Sequence, residues 1–214
     1  MKKILINTAK IHINSDCVLF DPGELENVEI SVDANVTVQY CCVPKSGTPL
    51  TRHVDIASGS QFTGSAVILY SGSAFAMTTN ILGDEVTSQL LLLAIATSKA
   101  QLSVEGVAKV DKPYRKVSTR VDQTNILLGK ESRIRAIPKL EIATEDIEGG
   151  HSCKIHRLGG ESAFYLESRG LTKKHAEALL LNSEILKHLD TISDEEEKRK
   201  VCYEIHSFLL EQGH

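Results

Sequence analysis

The sequence predicts a mainly β fold with a C-terminal α-helical segment, and three observations carry that prediction. Short apolar stretches with a period of two recur from the N-terminus to about residue 142. Small turn-formers separate them: Ser-Gly-Thr-Pro at 46–49, Ala-Ser-Gly-Ser at 57–60, Ser-Gly-Ser at 71–73, Leu-Gly-Asp-Glu at 82–85 and Leu-Gly-Lys-Glu at 128–131. No long helical period occurs before residue 161, and helical patterns follow it. Many short strands with such punctuation mean a sandwich, a barrel or a β-solenoid. No Asn-Gly hairpin signal is present, which favours the solenoid, although no exact repeat is visible.

Residues 1–22 are weakly patterned and end in an Asp-Pro-Gly turn at 21–23. From Val28 to Tyr40 the alternation is strict, and Asp33 and Asn35 mark a turn in its middle, so this is a half-buried strand pair. Further strands are expected at Arg52–Ile56, Ala66–Tyr70, Leu90–Ala96, Leu102–Val110, Val117–Val121 and Arg133–Ile142.

After Gly160 the period changes. Glu161–Arg169 reads as a short helix stopped by Gly170, a good residue just past a helix end. Thr172 is placed to cap a second helix with Ala176, Leu179, Leu180, Leu186 and Leu189 on one face. The run 193–196 has the form of a capping box for a third, whose stripe is Val201, Ile205, Phe208 and Leu209. The acidic run 194–197 reads as a solvated, dipole-favoured first turn. These short helices cannot enclose a core of their own, so they are expected to pack on the β part and to leave apolar surface for a partner. The division predicted is residues 1–160 for the β core and 161–214 for the helices.

Composition excludes several function classes. Aromatic residues are 5% of the chain and Trp is absent, so there is no stacking platform for single-stranded nucleic acid. The net charge of −4 lies wholly in residues 161–214, with 11 acidic and 7 basic side chains; residues 1–160 balance at 17 and 17. Neither part has a basic footprint for nucleic acid. The longest apolar run, Leu90–Ala96, is far short of the roughly 20 residues a bilayer needs. MKKILIN lacks the apolar core of a signal peptide, so a cytoplasmic protein is expected. Five cysteines without framework spacing read as reduced thiols. Of the adjacent Cys41 and Cys42, one is expected buried and one exposed; Cys17 and Cys202 read as core or helix-surface residues.

The densest group of soft ligands is His151, Cys153 and His156, after Glu145, Asp146, Glu148 and the pair Gly149-Gly150. In an extended stretch His151 and Cys153 share a face and His156 takes the other. A thiolate with an imidazole suits soft or borderline metals, iron–sulfur clusters included. No second Cys or His pair stands at zinc-finger spacing. Surface histidines beside one buried thiol would give the same pattern, and both readings stay open from these residues alone. No serine elbow, phosphate loop or HExxH is present, and aromatic sugar platforms are lacking, so a solenoid enzyme is not expected.

Three segments in order, LLG (127–129), RAIPKLEIATEDIEGGHSCKI (135–155) and ESAFYLESRGLT (161–172), closely resemble the C-terminal signature of the SufB/SufD proteins, scaffold subunits of the SUF machinery for iron–sulfur cluster assembly. The resemblance spans roughly Val107 to Ile185 and fades toward the N-terminus. It implies a right-handed parallel β-helix followed by helices, with no enzyme activity of its own. It also implies a SufC-like ATPase docked on Glu161–Leu189, with Phe164, Tyr165, Arg169, Leu171 and Leu179 as contact residues. A second SufB/SufD-type subunit, as homodimer or heterodimer, would pair through the β-helix, and a transient iron–sulfur cluster would form at that junction. His151 falls on the family's assembly histidine, and Cys153, Glu148 and His156 are candidate neighbours, with His151 and Cys153 as the metal ligands. The sequence after the histidine, Ser152-Cys153-Lys154, departs from the family's Gly-Ala-Thr, so Cys153 would add a thiolate that relatives lack there. Ser132 stands where the SufB branch has its assembly cysteine, which makes the chain SufD-like. It starts almost at the β region and so resembles a minimal form. The reading expected is a scaffold for cluster assembly; the alternative is a structural partner that joins the ATPase to another scaffold without binding a cluster.

Overall fold

Thirteen strands wind alternately into two parallel sheets, as seen in a computed structural model that describes residues 1–158, 160–190, 192 and 195–211. The odd strands form one sheet: β1 (Lys2–Leu5), β3 (Cys17–Asp21), β5 (Thr37–Cys42), β7 (Gln61–Ile68), β9 (Thr87–Ala96), β11 (Val117–Leu127) and β13 (Ile147–His156). The even strands form the other: β2 (Lys10–Ile13), β4 (Asn27–Val32), β6 (Leu50–Ile56), β8 (Ala74–Ile81), β10 (Gln101–Val110) and β12 (Arg133–Ile142). The chain is therefore a parallel β-helix, and each strand stacks on the one a coil earlier. Three α-helices follow: α1 (Gly160–Ser168), α2 (Lys173–Leu189) and α3 (Glu195–Glu211).

The coils widen along the chain. In the odd sheet the paired residues are 15 apart at Lys2↔Cys17, 21 at Cys17↔Val38, 24 at Thr37↔Gln61, 26 at Gln61↔Thr87 and 31 at Thr87↔Ser118. Alternation sends one set of side chains into the coil. Val28, Ile30 and Val32 face Val38, Tyr40 and Cys42 across an apolar interior that continues through Phe62, Leu90, Leu92, Val104 and Val121. The turn between β4 and β5 falls at 33–36, with Asn35 in the left-handed region at φ 60°. That matches the turn expected there, because Asn tolerates this conformation.

Coils are spaced by one strand separation, roughly 4.8 Å, so their corners touch. A Cβ on Gly129 would lie 1.7 Å from the carbonyl oxygen of Ser98, one coil earlier, so only glycine fits. One ion pair sits inside among the described residues. Arg52 and Asp21 have side chains 0% and 1% exposed and pair at 2.5 Å across the corner between β3 and β6.

The outer face of the odd sheet is also apolar, because the helices cover it. Val18, Phe20, Cys41, Val67, Leu93, Ile95 and Ile126 pack with Leu181, Ile185 and Leu189 of α2, with Ile192, and with Ile205 and Leu209 of α3. This cover corrects the expectation for Cys41 and Cys42: both are buried, Cys42 in the interior and Cys41 beneath the helices. Burial pushes the Cys41 thiol up to about 12.

Other differences have similar causes. β7 begins at Gln61 and ends at Ile68, ahead of Tyr70, whose ring packs tilted against Phe208 with centroids 4.4 Å apart. β8 and the whole of β13 are additional strands. Thr172 caps α2 by accepting from His175 N, as expected. The buried stripe of α2, however, is Ala176, Leu181, Ile185, His188 and Leu189, with Leu179 and Leu186 exposed. Leucines surround this helix on more than one face, so several stripes fit a 3.6 period and the sheet selects one. The capping box expected at 193–196 includes residues outside those described.

His188 in that stripe gives a pH dependence. It is 6% exposed, and Nδ1 lies 2.9 Å from the Glu184 carbonyl oxygen. Burial depresses its pKa below the ordinary 6.5. The unfolded chain therefore binds the proton first as pH falls, so the stability is fully present above 6.5 and is lost as pH drops through the depressed value. Thermal midpoints measured between about pH 7.5 and about pH 5 are expected to fall toward acid, and less steeply in His188→Leu. Equal slopes in both proteins would rule His188 out as the cause.

Candidate functional site

The last coil is open. β12 and β13 are end strands, each ten residues long, and no described strand stacks on them. Register shows which side chains face the coil interior. In β13, Ile147, Gly149, His151, Cys153 and Ile155 lie on Val117, Thr119, Val121, Gln123 and Asn125, all buried on the inner face of β11. In β12, Ile134, Ala136, Pro138, Leu140 and Ile142 lie on Leu102, Val104, Gly106, Ala108 and Val110. These are core positions without the next coil to cover them: Ile142 is 38% exposed and Ile155 51%, and His151 and Cys153 are exposed.

His151 and Cys153 therefore share the inner face of an end strand, at the mouth of the solenoid. Gly149 beside them leaves space, since a Cβ there would lie 3.0 Å from Ile142 Cδ1. Partial burial raises the Cys153 thiol above its ordinary value. Asn125 Nδ2 donates to Cys153 Sγ at 3.6 Å and to the Lys154 carbonyl at 3.2 Å. Among the described residues of one chain, no three His, Cys, Asp or Glu side chains converge to hold a metal ion. One chain thus brings one imidazole and one thiol to this end.

The other candidates lie on the opposite side of β13. Glu148 is exposed on the outer face, in register with Ser118. Ser152 Oγ donates to Asp122 at 2.6 Å, and Arg120 Nε does so at the same distance. Burial alone would raise the Asp122 carboxyl, but the bonds from Arg120 and Ser152 outweigh it and hold it below its usual value. His156 stacks on Ile126 and turns toward the helices, in a cavity of about 280 Å³ with Lys154, Arg157, Glu184 and Lys187. Burial, then Lys154, lowers its pKa, and its Nδ1 is buried without a hydrogen-bond partner. The structure brings His151 and Cys153 to one face and sets Glu148 and His156 on the other.

Ser132 is 6% exposed, and its Oγ–H donates to the Gly129 carbonyl at 2.7 Å, closing the turn between β11 and β12. On the helices, Phe164 is 74% exposed and Tyr165 57%, with the Arg169 guanidinium 5.3 Å from the Tyr165 ring centre. Leu179 is exposed and Leu171 half-buried. Sequence reasoning missed Gln123 and Asn125. The available signal was their parity: they continue the inward series Val117, Thr119, Val121 as polar residues at core positions.

The fold is a parallel β-helix whose end strand carries an exposed thiol and an exposed imidazole on its inner face. The family model for the SUF system FeS cluster assembly SufBD core domain matches residues 25–184, and the chain belongs to that family of iron–sulfur cluster assembly proteins. The chain is similar to the iron-sulfur cluster assembly protein SufD of Escherichia coli (strain K12), 26% identical over 118 residues, which covers 55% of this chain and 28% of that one. It is similar to SufD of Bacillus subtilis (strain 168), 25% identical over 99 residues, 46% of this chain and 23% of the relative. SufD of Plasmodium falciparum (isolate 3D7) is 29% identical over 119 residues, 55% of this chain and 8% of the relative. The matched part is thus less than a third of the length of each of these relatives. No helix among the described residues is long and apolar enough to cross a membrane.

Proposed function

We propose that this chain is a scaffold subunit on which an iron–sulfur cluster is built at the open end of the β-helix, where two such ends meet. The observation that carries this reading is the placement of His151 and Cys153 on the inner face of an uncovered end strand. One chain supplies one thiolate and one imidazole; two ends related by a two-fold axis supply two of each, enough for a small cluster together with its sulfide. The two ends of the solenoid differ in a way that supports pairing here. At the N-terminal end β1 and β2 are four residues each and carry Lys2, Lys3 and Lys10, which discourage strand addition. At the C-terminal end two ten-residue edges surround half-buried Leu140 and exposed Ile142 and Ile155.

The helices are the proposed seat of a SufC-like ATPase in the cytoplasm. Phe164, Tyr165 and Leu179 are exposed, and a cavity of about 560 Å³ has leucines such as Leu128, Leu181 and Leu209 in its lining together with Lys173, Lys174, Glu177 and His206. Anaerobic reconstitution with iron and sulfide tests the site. Cys153→Ser and His151→Ala are each expected to lose most of the bound cluster, read from visible absorption and iron content. Wild-type loading in both variants would remove the assignment.

One observation favours a second reading, a structural partner without its own cluster. Ser132, where the SufB branch has its assembly cysteine, is committed to a turn by its bond to Gly129. Stable co-purification with the ATPase, with no iron retained under anaerobic conditions, would select that reading.

A further inference from the structure

Two carboxamides are buried beneath Cys153, and the fold alone gives no reason for them. Gln123 and Asn125 are each 1% exposed on the inner face of β11. Cys153 stacks on Gln123 and Ile155 on Asn125. Their neighbours one coil back are Leu92 and Ala94, in an apolar interior. Each amide is bonded on one side only. Gln123 Nε2 donates to the Val104 carbonyl at 3.4 Å, and Asn125 Nδ2 donates to the Lys154 carbonyl and to Cys153 Sγ. Gln123 Oε1 and Asn125 Oδ1 are buried without a hydrogen-bond partner. A half-satisfied amide in a core costs stability that leucine would not. Both lie next to Cys153, the one exposed thiol among the described residues.

We infer that Asn125 is a positioning residue for the sulfur of Cys153: its N–H holds that sulfur toward the mouth of the solenoid and stays bonded to it when iron binds, over a polar floor completed by Gln123. The inference rests on the reading of Cys153 as a ligand. A metal-bound thiolate is a stronger acceptor than a neutral thiol, so the N–H···S contact strengthens on loading. Hydrogen bonds to ligand sulfur withdraw electron density from it and set the electronic properties of the centre. A neutral amide does this without adding a competing charge, as an aspartate would. Groups that orient a metal ligand typically contribute 10–100-fold to affinity.

Cobalt(II) is a suitable probe because a cysteine thiolate bound to it gives a sulfur-to-metal charge-transfer band. The full chain is titrated anaerobically with cobalt(II) as wild type, Asn125→Leu, Asn125→Thr and Cys153→Ser, with circular dichroism to confirm folding. Asn125→Thr retains a polar group too short to reach the sulfur, and so stands in if the leucine variant does not fold. The expected result is a band in wild type that Cys153→Ser abolishes. Asn125→Leu or Asn125→Thr should bind about 10-fold more weakly, with the band moved to longer wavelength. Unchanged affinity and band position in a folded Asn125 variant would overturn the inference and leave Cys153 a ligand. No Cys153-dependent band in wild type would overturn the ligand reading and this inference with it.

Discussion

Arg52→Ala is expected to destabilise the fold by about 3–5 kcal/mol, because it leaves a carboxylate inside the β-helix without its cation. Asp21 Oδ2 accepts from Arg52 Nε at 2.5 Å and from the Tyr40 hydroxyl at 2.5 Å, and Oδ1 accepts from Gly23 N at 2.8 Å and Arg52 Nη2 at 3.3 Å. Arg52 also donates to the carbonyls of Glu26 at 3.1 Å and Thr51 at 2.9 Å, closing the corner between the sheets. The polar atoms of the pair are thus satisfied by one another, by the Tyr40 hydroxyl and by the corner backbone. A urea titration followed by circular dichroism measures the loss. A change below about 1 kcal/mol would mean that water enters this corner and replaces the guanidinium. The triple change Asp21→Leu, Tyr40→Phe, Arg52→Met should recover most of the stability, since removing all partners leaves no orphaned charge.

Ile185→Ala is expected to cost about 2–5 kcal/mol, the range for deleting a fully buried aliphatic side chain that leaves a cavity. Ile185 is 0% exposed between the sheet's outer face and the Ile205 and Leu209 stripe of α3. Rigid strands on one side limit collapse into the space, which places the cost toward the upper part of the range. Limited proteolysis should cut within α2 and α3 before the strands in this variant. Wild-type resistance with an unchanged urea midpoint would show that the helices do not depend on this contact.

The alternating β4–β5 pair and the long apolar β9 were legible because burial on one face, or on both, leaves a local trace. β8 was not: its inward residues Phe75, Met77, Thr79 and Ile81 alternate with Ala74, Ala76, Thr78 and Asn80, and small or polar residues on both faces blur the period. The repeat was invisible because the coil grows from 15 to 31 residues, so no fixed offset aligns one turn with the next. At the candidate site, the shared face of His151 and Cys153 follows from counting by twos. That their strand ends the stack, over Gln123 and Asn125, follows only from a register set 30 residues away. The stripe of α2 likewise depended on which leucines met the sheet.

The helices lie across β3, β5, β7, β9 and β11 at once, and this constrains the order in which the protein can fold. Each strand needs only the preceding coil as a template, so the stack grows by short loop closures as the chain emerges from the ribosome. The helices have no such template until five coils stand side by side. Their docking therefore depends on contacts far apart in sequence, and it closes the apolar outer face of five strands together.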